Sequence, residues 1–204
     1  MSLIDILKAD LNNPANPGKQ YNAAYRLASV GEYDKPRAIR ILLAASLKAN
    51  DTKLQDTAVE SLRRLAPTHA LNIFIKATDN VDDPMQRRRA YYHIGSLGNE
   101  SAINVVLKGL HDPVKQVRWA AVVSCGKLGR EHRIIRMLEK LLNTHVSESM
   151  RKAIYKSIQQ IYKRTKKEVS FNTPARKNGN NRGGFNRKNN FGKVIPKAYR
   201  PKAF

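Results

Sequence analysis

The chain has 204 residues, a formal net charge of +22 and a single cysteine, Cys125, and its most apolar piece, Ile41 to Leu47, is short and flanked by Arg40 and Lys48. This excludes a disulfide-stapled secreted domain and a membrane-spanning helix. The charge attracts polyanions, nucleic acid first and anionic lipid second.

Taken in chain order, the opening MSLIDILKADL carries Asp5 and Asp10 and lacks the basic start and small-residue cleavage site of a signal peptide. A soluble cytoplasmic or otherwise intracellular protein, or a virion component, is expected rather than a secreted one. From Ala23 onward a repeat appears. Ala23 to Gly31, Ala58 to Ala66, Ala90 to Gly98 and Ala121 to Gly129 each open on alanine and close on Gly or Ala. Apolar residues follow the alanine by four (Leu27, Leu62, Ile94, Cys125) and by seven (Val30, Leu65, Leu97, Leu128). Ile154 to Tyr162 is a more degenerate fifth copy. Spacings near 30 residues with an i, i+4, i+7 stripe predict a stack of helix pairs, since one pair cannot bury its apolar face alone.

The second helix of each pair is read at RAIRILLAAS, HALNIFIKAT, SAINVVLKGL and RIIRMLEKLL. Asp51, Asp83 and Asp112 stand where an N-cap belongs, with Pro84 and Pro113 in the first turn. The closing glycines are expected to take left-handed dihedrals. DPVKQVRWAAVVSCGKLG with the apolar helix after it, and DPMQRRRAYYHIGSLGNESAINVVLKGL, resemble the short HEAT-type repeats of phycobilisome lyases over roughly residues 17–162. The resemblance implies an all-α fold, a right-handed α-solenoid of about five helix pairs over residues 1–164. It further implies that the second helices line the concave side, and that an Asp/Arg pairing such as Asp112 with Arg118 ties adjacent repeats.

Aligning the second helices leaves one polar column of Arg40, Asn72, Asn104 and Arg136, and four residues on a column of Ala44, Lys76, Lys108 and Lys140. Residues at i and i+4 share a helix face, so the two columns make a stripe without acids. It suits either a phosphate backbone or plain solvation. The five histidines lack metal-ligand spacing, HExxH and CxxC are absent, and neither a catalytic constellation nor a cofactor is expected. Trp119 and Cys125 read as packing residues. Of Tyr91 and Tyr92, one is expected to pack and the other to face solvent.

From Thr165 the apolar periodicity stops, and residues 165–204 form a second, basic, Asn/Gly/Arg-rich region, disordered or ordered only by a partner. Residues 163–204 hold 13 lysines and arginines against one acid, Glu168. Arg176, Lys177, Arg182, Arg187, Lys188 and Lys193 are expected to neutralise phosphates while Phe185 and Phe191 stack on exposed bases. The arrangement resembles RG-rich RNA-binding segments. The leading expectation is a non-enzymatic scaffold that binds nucleic acid, RNA in preference to DNA. The alternative is an assembly protein whose partners are the protein subunits of a large complex. No membrane partner is expected.

Overall fold

The computed structural model describes residues 2–144 and 146–172, with side chains up to Thr165. Its α-helices are α1 (Leu3–Leu11), α2 (Pro17–Val30), α3 (Lys35–Lys48), α4 (Thr52–Leu65), α5 (Pro67–Ala77), α6 (Pro84–Leu97), α7 (Ile103–Lys108), α8 (Lys115–Leu128), α9 (His132–Leu142) and α10 (Glu148–Asn172). No strand occurs among the described residues, and the fold is an α-solenoid. The four alanine-opened segments and the degenerate fifth copy lie on α2, α4, α6, α8 and α10. The second helices are α3, α5, α7 and α9. Only α7 is short, flanked by 3-10 turns at Glu100–Ala102 and Gly109–His111.

The apolar columns are the core. Leu27, Leu62, Ile94, Cys125 and Ile158 are all fully buried, as are Ala23, Ala58, Ala90 and Ala121. Small residues let the first helices approach one another closely. A Cβ on Gly95 of α6 would stand 2.4 Å from Ser124 Oγ on α8, and one on Gly126 would stand 2.6 Å from Ser157 Oγ on α10. Those hydroxyls are not wasted in the crowding. Ser124 Oγ donates to the Tyr91 carbonyl at 2.7 Å and Ser157 Oγ to the Val122 carbonyl at 2.9 Å. Each second helix instead packs on the first helix that follows it and hardly on its own kind.

The first helices α2, α4, α6, α8 and α10 thus form one layer of the stack, and the second helices α3, α5, α7 and α9 form the other. The expected glycine geometry holds at one place only. Gly98 closes α6 at φ 75°, in the left-handed region. At Gly31 and Gly129 φ is negative, and the missing Cβ serves close approach, to Leu27 O and Cys125 O.

Helix starts follow the sequence signals at two of three sites. Asp51 accepts from the amides of Lys53 and Leu54, and Asp83 from Gln86 N. At α8 the helix begins at Lys115 after Val114 and has no side-chain cap. Asp112 accepts from Val114 N, and its carboxylate is held across the repeat boundary by Arg87, with Nε at 2.9 Å from Oδ2 and Nη2 at 3.2 Å from Oδ1. The inter-repeat Asp/Arg pair is thus Asp112 with Arg87. Arg118 donates to backbone carbonyls of Asp112 and Pro113.

Three residues before each alanine, a side-chain donor folds back onto the segment that enters the helix. Gln20 donates to the Leu11 carbonyl, Gln55 to that of Ala49, Arg87 to those of Asn80 and Val81, and Arg118 as above. Arg87 alone combines that role with a carboxylate, and it is buried. A lysine keeps the charge but not the planar fork. Arg87→Lys is expected to cost about 1–2 kcal/mol in urea denaturation, chiefly from polar groups left unpaired. An unchanged midpoint would show that the fork is dispensable.

Candidate functional site

The five cations expected on the second helices, Arg40, Lys76, Lys108, Arg136 and Lys140, are all exposed. No ion pair to a described acid engages any of them. The contrast is with Arg37, Arg63, Arg130 and Arg133, whose partners are Asp5, Glu60, Glu100 and Glu131. The five stand on the second-helix layer. Arg176, Lys177, Arg182, Phe185, Arg187, Lys188, Phe191 and Lys193 lie outside the described residues.

Clefts open on the first-helix layer, where the sequence predicts no site. One of about 490 Å³ lies over α4, α6 and α8, lined among others by Asp56, Met85, Arg88, Arg89, Tyr92 and Trp119. A neighbouring cleft of about 420 Å³ is lined by Arg88, Lys115, Gln116, Trp119, Ser149 and Met150. Arg88 and Trp119 are shared and form the wall between them. Trp119 is half-buried, so it packs on the core with one part and faces both clefts with the rest. Tyr91 is buried, and Tyr92 is half-buried against the core rather than turned fully to solvent.

The run Arg87-Arg88-Arg89 divides three ways because successive helical residues point about 100° apart. Arg87 ties repeats together. Arg89 Nη1 donates at 2.5 Å to the Leu47 carbonyl at the end of α3, a position that favours a cation. Arg88 lines both clefts, and among the described residues its one side-chain hydrogen bond is to Met85 sulfur at 3.4 Å. The signal that would have found this face is the position two residues before the repeat alanine, which reads Tyr21, Asp56, Arg88, Trp119 and Lys152.

Asp56 marks the acidic limit of the face. Burial pushes its carboxyl up, offset in part by Lys127. Burial in turn pulls the Lys127 ammonium down. Lys127 Nζ donates to Ser96 Oγ at 2.8 Å and lies 4.1 Å from the Tyr92 ring centroid, which fixes that ring as a wall. Beneath it His93 is fully buried, 5.3 Å from the Phe74 ring, and its Nε2–H donates to the Ser46 carbonyl at 2.8 Å. Burial pulls His93 down to about 4, so it is neutral. Burial pushes the Cys125 thiol up to about 12, which removes it as a nucleophile at neutral pH. Among the described residues no group of three or more His, Cys, Asp or Glu could hold a metal ion, and no helix is long and apolar enough to cross a membrane.

A comparison with curated proteins returns no match. Two solved structures were compared with the chain. One, the complex of CpcE and CpcF of phycocyanin lyase from Nostoc sp. PCC7120, has a chain 22% identical, with a TM-score of 0.52 over 76% of this chain and 96% of that one. The other, an engineered protein, is 17% identical with a TM-score of 0.40 over 79% of this chain and 80% of that one. The sequence profile of HEAT repeats matches residues 71–159, from α5 into α10. Repeats of this kind build protein-interaction scaffolds with extended concave surfaces. Residues 71–159 are thus similar to HEAT repeats, and the same helix-pair plan runs through the described residues on either side of them.

Proposed function

We propose that this scaffold is non-enzymatic and binds nucleic acid, RNA in preference to DNA. The observation that carries the reading is the set of five exposed second-helix cations without acidic partners. A cation paired internally has little to gain from a phosphate. One neutralised only by solution ions releases them on binding, and that release drives association. Lys76, Lys108 and Lys140 lie on successive repeats and suit a backbone passing from one repeat to the next. The cations of residues 173–204 would add phosphate contacts, and Phe185 and Phe191 would add stacking on unpaired bases, the feature that favours RNA.

Filter binding of the full chain to labelled single-stranded RNA across a salt series tests this. The expected slope of log affinity against log salt is about −3.5 from the five cations alone, steeper with the tail. Removing residues 173–204 leaves α10 intact and is expected to weaken binding. Affinity indifferent to salt would refute the proposal.

A protein partner is the second reading, and the HEAT repeats themselves favour it. A partner retained in a pull-down from nuclease-treated lysate would support it over nucleic acid.

A further inference from the structure

The cleft between α6, α8 and α10 carries two kinds of group that a polyanion alone would not require together. Arg88 and Lys115 supply positive charge from adjacent helices, and no described acid pairs with either. Trp119 supplies a half-exposed indole, and no described ring or cation lies against it. Serine, glutamine and methionine complete the lining, so this cleft contains no carboxylate. On the far side of Trp119 the lining includes Asp56, which repels phosphate there. Charge and aromatic surface thus coincide on one side of a single residue.

Resting on the nucleic-acid reading above, we propose that this cleft binds single-stranded nucleic acid, with one base stacked on Trp119 and the flanking phosphates held by Arg88 and Lys115. A duplex keeps its bases stacked inside and offers the indole nothing. A single strand offers a free base face, and stacking on an aromatic side chain is tolerant of sequence. Tyr92 does not serve as the platform, because Lys127 already covers its ring and fixes it as the wall beside Arg88. The site extends the binding surface to the first-helix layer, where the second-helix cations do not stand.

Trp119 is the only tryptophan of the chain, so fluorescence excited where tyrosine does not absorb reports on the surroundings of this residue alone. Titration of the full chain with a short oligouridylate is expected to quench it along the same curve as filter binding. Heparin, a polyanion without bases, and duplex RNA are expected to bind without comparable quenching. Trp119→Leu keeps apolar packing and is expected to lower oligouridylate affinity about ten-fold while leaving heparin affinity in place.

Equal quenching by heparin and oligouridylate would overturn the stacking site. Binding of oligouridylate with unquenched fluorescence would also overturn it, while leaving the nucleic-acid reading intact. Failure of the full chain to bind any of the three would overturn that reading itself. Should Trp119→Leu fail to fold, the fluorescence comparison on the unaltered chain still decides.

Discussion

Lowering the pH from 7 to 4 is expected to remove about 3 kcal/mol of folding stability through His93 alone. An ordinary histidine titrates at 6.5, whereas this ring is held down to about 4. The main cause is burial between the Phe74 and Tyr92 rings, and the charges of Lys127 and Arg89 add to it. The hydrogen bond to Ser46 acts the other way and is too weak to prevail. Because the folded-state value is the lower one, the unfolded chain takes up the proton first as pH falls. The stabilisation is complete above about 6.5, declines through the interval down to about 4, and is gone below it. Carboxylates with lowered values, such as Asp51 and Glu60, lose their contributions only as pH falls through the acid range below their ordinary 3.8 and 4.5. Asp56, pushed up by burial, works in the opposite direction. His93→Gln keeps a donor for the Ser46 carbonyl and cannot titrate. Urea denaturation at pH 7, 5.5 and 4 is expected to show the loss in the natural chain and not in the variant. A variant with the same decline would place the acid sensitivity elsewhere.

The solenoid was legible because its signal is periodic and local. An alanine followed by apolar residues at four and seven specifies a buried stripe, and Leu27, Leu62, Ile94 and Cys125 are all at its centre. The closeness of neighbouring helices was not legible, because it depends on contacts between repeats. Gly95 against Ser124 reads in sequence as two small residues on different helices, yet it lets α6 and α8 close up. Asp112 shows the same limit. As an isolated signal it is an N-cap, and only the folded chain brings Arg87 within reach from 25 residues away. The second-helix cations were readable as a stripe, since shared faces follow from i, i+4 spacing. The cleft at Trp119 was missed for a different reason. Beside the alanine column the residue reads as core, and half-exposure at a helix crossing has no one-dimensional signature.

Neutralising Lys76, Lys108, Arg136 and Lys140 together is expected to weaken binding to single-stranded RNA about a hundred-fold at moderate salt. Each cation that meets a phosphate contributes about 0.7 to the salt exponent for a single strand, so four account for nearly 3. The size of the effect depends on their lacking internal partners. Were they bound to acids, as Arg63 is to Glu60, substitution would remove ion pairs of the protein and leave the exponent unchanged. All four are exposed, so exchange to alanine or glutamine removes charge with little loss of packing, and the thermal midpoint serves as the control. The salt exponent separates this surface from the two others that carry cations. A drop of about 3 assigns the contacts to the second helices. An unchanged exponent in the variant, with a fall when residues 173–204 are removed, assigns them to the tail. An exponent indifferent to both, with tryptophan quenching retained, leaves Arg88 and Lys115 beside Trp119 as the contact that remains.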